Sequence, residues 1–118
     1  MNTHAERARR LLAQGHGPEM NRLAIELGLV TPEADAETVK RRLRNWLDNN
    51  GVRYFWMIQD GRAAFDIDRS SVLEALGEVS ETEARRVFHR DWADKDGTLV
   101  RYRIGGRTLL DPKIIETA

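Results

Sequence analysis

Glu37, Thr38, Lys40, Arg41, Arg42, Arg44 and Asn45 crowd into one run, Glu37-Thr38-Val39-Lys40-Arg41-Arg42-Leu43-Arg44-Asn45-Trp46-Leu47-Asp48-Asn49-Asn50-Gly51. These side chains suit recognition better than bond-making. A carboxylate accepts from a base amino group, a guanidinium donates in a fork to guanine, and surrounding cations take phosphates. At about 100° per residue, Val39, Leu43, Trp46 and Leu47 share one side of a helix. Glu37, Arg41, Arg44, Asn45 and Asp48 fall on the other. A helix held by one apolar stripe and showing arginines outward fits a DNA major groove.

Enzyme chemistry finds little to work with. The three histidines, His4, His16 and His89, are far apart, and no H-x-x-x-H, H-E-x-x-H or G-x-S-x-G pattern occurs. Asp66 with Asp68, and Asp94 with Asp96 around Lys95, read as strand-end and turn residues rather than a metal site. Gly105-Gly106 is followed by neither a lysine nor a helix start, so it is no phosphate loop. The expectation is a non-enzyme with no cofactor and no metal. Trp46, Trp56 and Trp92 read as core or interface residues rather than base-stacking platforms.

The elements that must position the basic run have local signals. Ala5 to Gln14 reads as a short helix with Ala8, Leu11 and Leu12 apolar, broken by Gly15-His16-Gly17-Pro18. Pro18 starts a second helix, Glu19 to Leu27, which Gly28 ends, and Met20, Leu23, Ala24 and Leu27 are expected to pack beneath the basic helix. Thr31-Pro32-Glu33 is a second helix-start signal inside the turn, expected to hold a single helical turn before residue 36. Asp35 is the expected N-cap of the basic helix and Gly51 its C′ glycine. Val52-Arg53-Tyr54-Phe55-Trp56-Met57-Ile58 reads as a strand. Asp60-Gly61 is expected to make a tight hairpin turn, with Arg62-Ala63-Ala64-Phe65-Asp66-Ile67 as the return strand and Arg62 at its tip. Helix, strand, turn, strand is the order of a recognition helix and its wing.

This stretch resembles the lambda-type excisionases and the wider MerR-like winged-helix group. Glu37-Thr38-Val39-Lys40-Arg41-Arg42 and Asp60-Gly61-Arg62 carry the resemblance, and Asp68 to Leu76 looks like the helix that follows the wing in that group. The match covers roughly residues 20–76. It implies that Glu37 and Arg41, one helical turn apart, read bases, with Thr38 and Asn45 beside them. It places Arg62 at the wing, and the DNA-binding reading sets Lys40, Arg42, Arg44 and Arg53 on phosphates. The implied partner is double-stranded DNA, with an integrase or other protein and self-association along DNA as further partners. The implied role is a recombination factor or a small transcription regulator of a mobile element. The chain departs from the pattern between Gly28 and Ala36, where the turn is longer than in a compact helix-turn-helix.

The 118 residues carry no net charge and no cysteine, so disulfides are excluded and a cysteine-based zinc finger has no ligands. No stretch is apolar enough to span a membrane, and Met1 to Glu6 does not read as a signal peptide, so a cytoplasmic protein is expected. Charge is unevenly spread. Residues 36–54 hold five bases against two acids, residues 55–83 two bases against seven acids, and residues 84–118 eight bases against five acids. A basic stripe and an acidic rear follow.

Beyond residue 78, Ser80-Glu81-Thr82-Glu83 is a capping box, and Ala84, Val87, Phe88 and Trp92 form the apolar stripe of the helix that it starts. Ile104-Gly105-Gly106-Arg107 reads as a hairpin. Val52-Arg53-Tyr54 recurs as Val100-Arg101-Tyr102, Gly61-Arg62 as Gly106-Arg107, and Gly97 stands where Gly51 does in the first unit. The expected fold is therefore α+β: a winged helix-turn-helix unit over 1–78, then a C-terminal helix and hairpin over 79–118. That second part is either a degenerate winged repeat, with Arg85, Arg86, Arg90 and Arg107 as a second DNA surface, or part of the same core. The reading from a different class is a protein-binding inhibitor or adaptor on a winged-helix scaffold, for example phage-encoded, working through its acidic block at 66–83.

Overall fold

Caps and apolar spacing dictate where the helices begin and end in the computed structural model, which describes residues 3–61 and 71–117. The described chain falls into two compact units, Met1–Val52 and Arg53–Ala118. The first is helical: α1 (Thr3–Gln14), α2 (Pro18–Glu26) and α3 (Ala36–Asp48). Pro18 opens α2 at a position where its missing N–H costs nothing. Gly28, at φ 73°, ends it in a Schellman turn: its N–H donates to the Ile25 carbonyl, and that of Leu29 donates to Ala24. Leu29 thereby turns into the core, 3% exposed.

Asp35 caps α3, its carboxylate accepting from the Thr38 N–H at 2.8 Å. The C-terminus of α3 repeats the Schellman pattern, but with Asn50 (φ 57°) at the C′ position and Gly51 (φ 82°) one residue beyond. The expected C′ glycine is thus displaced by one, because asparagine tolerates the left-handed region. Thr31 to Ala34 forms a hydrogen-bonded turn before α3. Ala8 and Leu11 of α1, Met20, Leu23 and Ala24 of α2, and Val39, Leu43 and Trp46 of α3 join Leu29 in one buried cluster. The apolar stripes read from spacing therefore converge as expected.

The second unit is an antiparallel sheet in the order β2-β1-β3-β4, built from β1 (Tyr54–Asp60), β2 (Val72–Gly77), β3 (Gly97–Gly105) and β4 (Thr108–Thr117), with α4 (Glu81–Asp91) between β2 and β3. Ser80 caps α4 by accepting from the Glu83 N–H at 3.1 Å. Ala84, Val87 and Phe88 of α4 pack on Trp56, Ile58 and Leu99. Met57, Val100 and Tyr102 form a separate buried cluster on the alternate residues of the same strands. Gly97 lets α4 and the sheet meet: a Cβ there would lie 3.0 Å from the Trp92 Cβ and 3.2 Å from the Ile58 Cγ2. Gly106 (φ 63°) and Arg107 make the two-residue turn between the paired Gly105 and Thr108.

The sheet corrects several expectations. Both edges of β1 are taken, by β2 and by β3, and Gln59 pairs with Val72, so Asp60-Gly61 is not a two-residue hairpin turn. Neither residue has positive φ. Gly61 serves instead as a close approach, donating to the Asp96 carbonyl at 2.8 Å, where a Cβ would clash with that oxygen. The expected return strand 62–67, with Arg62, lies outside the described residues. The helix expected over Asp68 to Leu76 is a strand from Val72 onward. Its Val72, Leu73 and Leu76 fit helical spacing, but pairing with β1 overrides that preference.

Val52-Arg53-Tyr54 and Val100-Arg101-Tyr102, on whose likeness the repeat reading rested, run along adjacent strands. The two segments are neighbours in one sheet, Phe55 opposite Tyr102 and Tyr54 opposite Arg103. Gly97 begins a strand rather than ending a helix, and Asp96 (φ 55°) takes the left-handed position before it. The expected boundary at 78 would divide this sheet. The C-terminal helix and hairpin share a core with β1, while the helices of the first unit have a core of their own.

Candidate nucleic-acid interface

The basic helix α3 has a clear inside and outside. Val39, Leu43 and Trp46 are buried, and Glu37, Arg41, Arg44 and Asp48 form the exposed stripe opposite. Thr38 and Asn45 lie half-buried along one flank, Lys40 on the other. The Lys40 Nζ rests 3.4 Å from the Glu37 carboxylate, an exposed pair worth a few tenths of a kcal/mol. Arg41 and Arg44 carry no ion pair among the described residues, so their forks are open to a ligand. The Thr38 N–H bond holds the Asp35 carboxyl below its usual range, and nearby Arg41 adds to this. The start of α3 thus stays capped by a carboxylate anion at neutral pH.

Two of the cations expected on phosphates have internal work. The Arg42 Nη1 donates to the Leu29 carbonyl at 2.8 Å, and its Nε is buried. It ties the long turn before α3 to the helix, a function that its place in the sequence could not show. Arg53 makes a two-pronged bridge to Glu78, with both N···O distances 2.7 Å and side chains 27% and 18% exposed. That carboxylate holds the guanidinium above its ordinary pKa.

The second surface expected on α4 is largely neutralised. Arg85 bridges Glu81 and Glu116 at 3.1 Å each, Arg86 meets Glu83 at 2.6 Å, and Arg90 meets Asp91 at 2.7 Å. Hydrogen bonds donated to Glu83 and Asp91 raise the pKa of Arg86 and Arg90, and Arg90 lowers that of Asp91. Arg107 stands exposed in the β3–β4 turn with no ion pair among the described residues.

The structure gathers a different basic group. The Arg101 guanidinium sits over the Tyr54 ring, its carbon 4.0 Å from the ring centre and 6.0 Å from that of Trp56. Lys113 is its cross-strand partner, and Arg103 is that of Tyr54. The sequence signal for this group is slight: Arg101 and Arg103 are two apart on a strand and so share a face. The cross-strand partners could be known only from the register.

Two shallow hollows belong to the helical unit. One of about 210 Å³ is lined by Ala5, Arg9, Leu47, Asn50 and Gly51. The other, of about 320 Å³, lies at the α1–α2 turn, where the His16 Nε2 stands 2.8 Å from the Asn21 Oδ1. Among the described residues no three His, Asp or Glu side chains gather as a metal site, and no helix is long and apolar enough to cross a membrane. Comparison of the chain with protein-family models, with curated proteins and with solved structures finds no match.

Proposed function

We propose that this chain is a sequence-specific duplex-DNA-binding protein whose α3 enters the major groove. The observation that carries the reading is the free pair Arg41 and Arg44 on the exposed stripe of a helix whose other side is anchored in a core. Glu37 and Arg41 read base edges, the carboxylate accepting from cytosine and the guanidinium donating to guanine. Thr38 and Asn45 flank them. Lys40 and Arg44 take phosphates, and Arg62 is the wing contact that the resemblance implies. A winged helix-turn-helix, and a role in recombination or in regulating a mobile element, belong to the same proposal. An integrase or other protein partner, and self-association on DNA, follow from the resemblance as well.

The alternative is a protein-binding inhibitor or adaptor working through the acidic block at 66–83, of which Glu78, Glu81 and Glu83 are paired with Arg53, Arg85 and Arg86 and Asp66 and Asp68 lie outside the described residues. The test is selection of bound sequences from a random duplex library, followed by Arg41→Ala. Loss of about 1–3 kcal/mol at the selected site, with little change on random duplex, supports base reading. Equal weakening on both sinks it.

A further inference from the structure

We propose that the strand face around Arg101 is a second nucleic-acid contact, one that takes backbone phosphates. The proposal rests on the reading of the chain as a nucleic-acid binder, but on different residues. Alternation along β3 puts Arg101 and Arg103 on the same face, and the register adds Lys113 from β4 and Tyr54 from β1. The ion pair within this group is Arg103 Nε to Asp111 Oδ2 at 2.8 Å, with side chains 43% and 71% exposed. Arg101 and Lys113 have no ion pair among the described residues, and Glu116, across from Leu99 on the same face, is held by Arg85 and His89.

Arg101 is the centre of the group. Its cation–π contact with Tyr54 restricts the guanidinium, and no carboxylate pairs with it among the described residues. Its outer donors are held in a planar fork, the geometry that matches a phosphate. That contact also lowers the ordering cost of binding, since the side chain is already restricted. The contrast with α4 is direct: Arg85, Arg86 and Arg90 each spend their donors on carboxylates 2.6–3.1 Å away. Cations at two-residue steps along β3, about 7 Å apart, with a further one across on β4, make an extended array. Such an array complements the regular charge of a phosphodiester backbone better than it does a single anion.

The test uses the full chain and a random-sequence duplex, with affinity followed by fluorescence anisotropy over a salt series. Lys113→Gln removes an exposed cation and is expected to lower affinity several-fold and the salt slope by about one. Asp111→Asn removes the carboxylate on Arg103 at a residue with φ 50°, which asparagine tolerates. It is expected to raise affinity several-fold, a gain that misfolding cannot mimic. If both variants match the parent while Arg41→Ala loses site preference, the strand proposal is overturned and the α3 reading stands. If both act as expected while Arg41→Ala keeps full preference for the selected site over random duplex, the strand contact stands and the α3 reading falls. Absence of duplex binding at low salt overturns both. Displacement of duplex by polyglutamate but not by heparin would also overturn the phosphate assignment.

Discussion

Replacing Arg53 separates structural arginines from ligand-facing ones. Its guanidinium makes two charge-assisted hydrogen bonds to Glu78, both at 2.7 Å. The pair is neither surface nor core, with side chains 27% and 18% exposed. Fully exposed pairs are worth about 0.2–1 kcal/mol, whereas breaking a buried one from one side costs about 3–5 kcal/mol. Solvent screening at this exposure places Arg53→Gln between them, at about 2 kcal/mol. In a domain of this size that is roughly 10 °C in Tm. Urea unfolding followed by tryptophan fluorescence reports it, since Trp56 and Trp92 pack in this unit. A double-mutant cycle with Glu78→Gln isolates the coupling, expected at about 1–2 kcal/mol. The DNA salt slope of Arg53→Gln should equal that of the parent. A stability change below about 0.5 kcal/mol, or a salt slope reduced by about one, would refute the assignment and return Arg53 to the phosphate contacts.

Gly97→Ala would push a methyl to 3.0 Å from the Trp92 Cβ and 3.2 Å from the Ile58 Cγ2, so an overpacking loss of about 1–3 kcal/mol is expected in the same unfolding assay. The Asp35 carboxyl is held low by its bond from Thr38, so its contribution to α3 is complete above the ordinary carboxylate pKa and is lost as pH falls through the lowered folded value. Helicity in an acid titration should therefore show a step that Asp35→Asn removes while keeping the cap, and an unchanged acid limb in that variant would contradict the linkage.

Short-range signals were legible. Asp35 before Thr38, Ser80 before Glu83, Pro18 at a helix start and Gly28 at a helix end each act within a few residues, and each does in the structure what its type and spacing predict. The apolar stripes of α1, α2 and α3 were likewise readable, because a helix repeats its faces on a local period. The helix that the family resemblance implied over Asp68 to Leu76 gives way, from Val72 onward, to a strand paired with β1. Local logic misled at Asp60-Gly61, whose type fits a tight turn but whose neighbours close a longer connection.

Alone, then, the sequence determined the helix caps, the apolar sides that build the helical core, the aromatic strand β1 and the glycine turn between β3 and β4. Each follows from local sterics and hydrogen bonding. Only the tertiary structure decided which cations are free. Arg42 meets a carbonyl thirteen residues away, and Arg53 a carboxylate twenty-five residues away. Arg101 meets a ring brought beside it by strand register. An arginine's character in the linear chain is the same in all three cases; whether it clamps, pairs or waits for a ligand depends on what folding places within about 3–4 Å of its nitrogens.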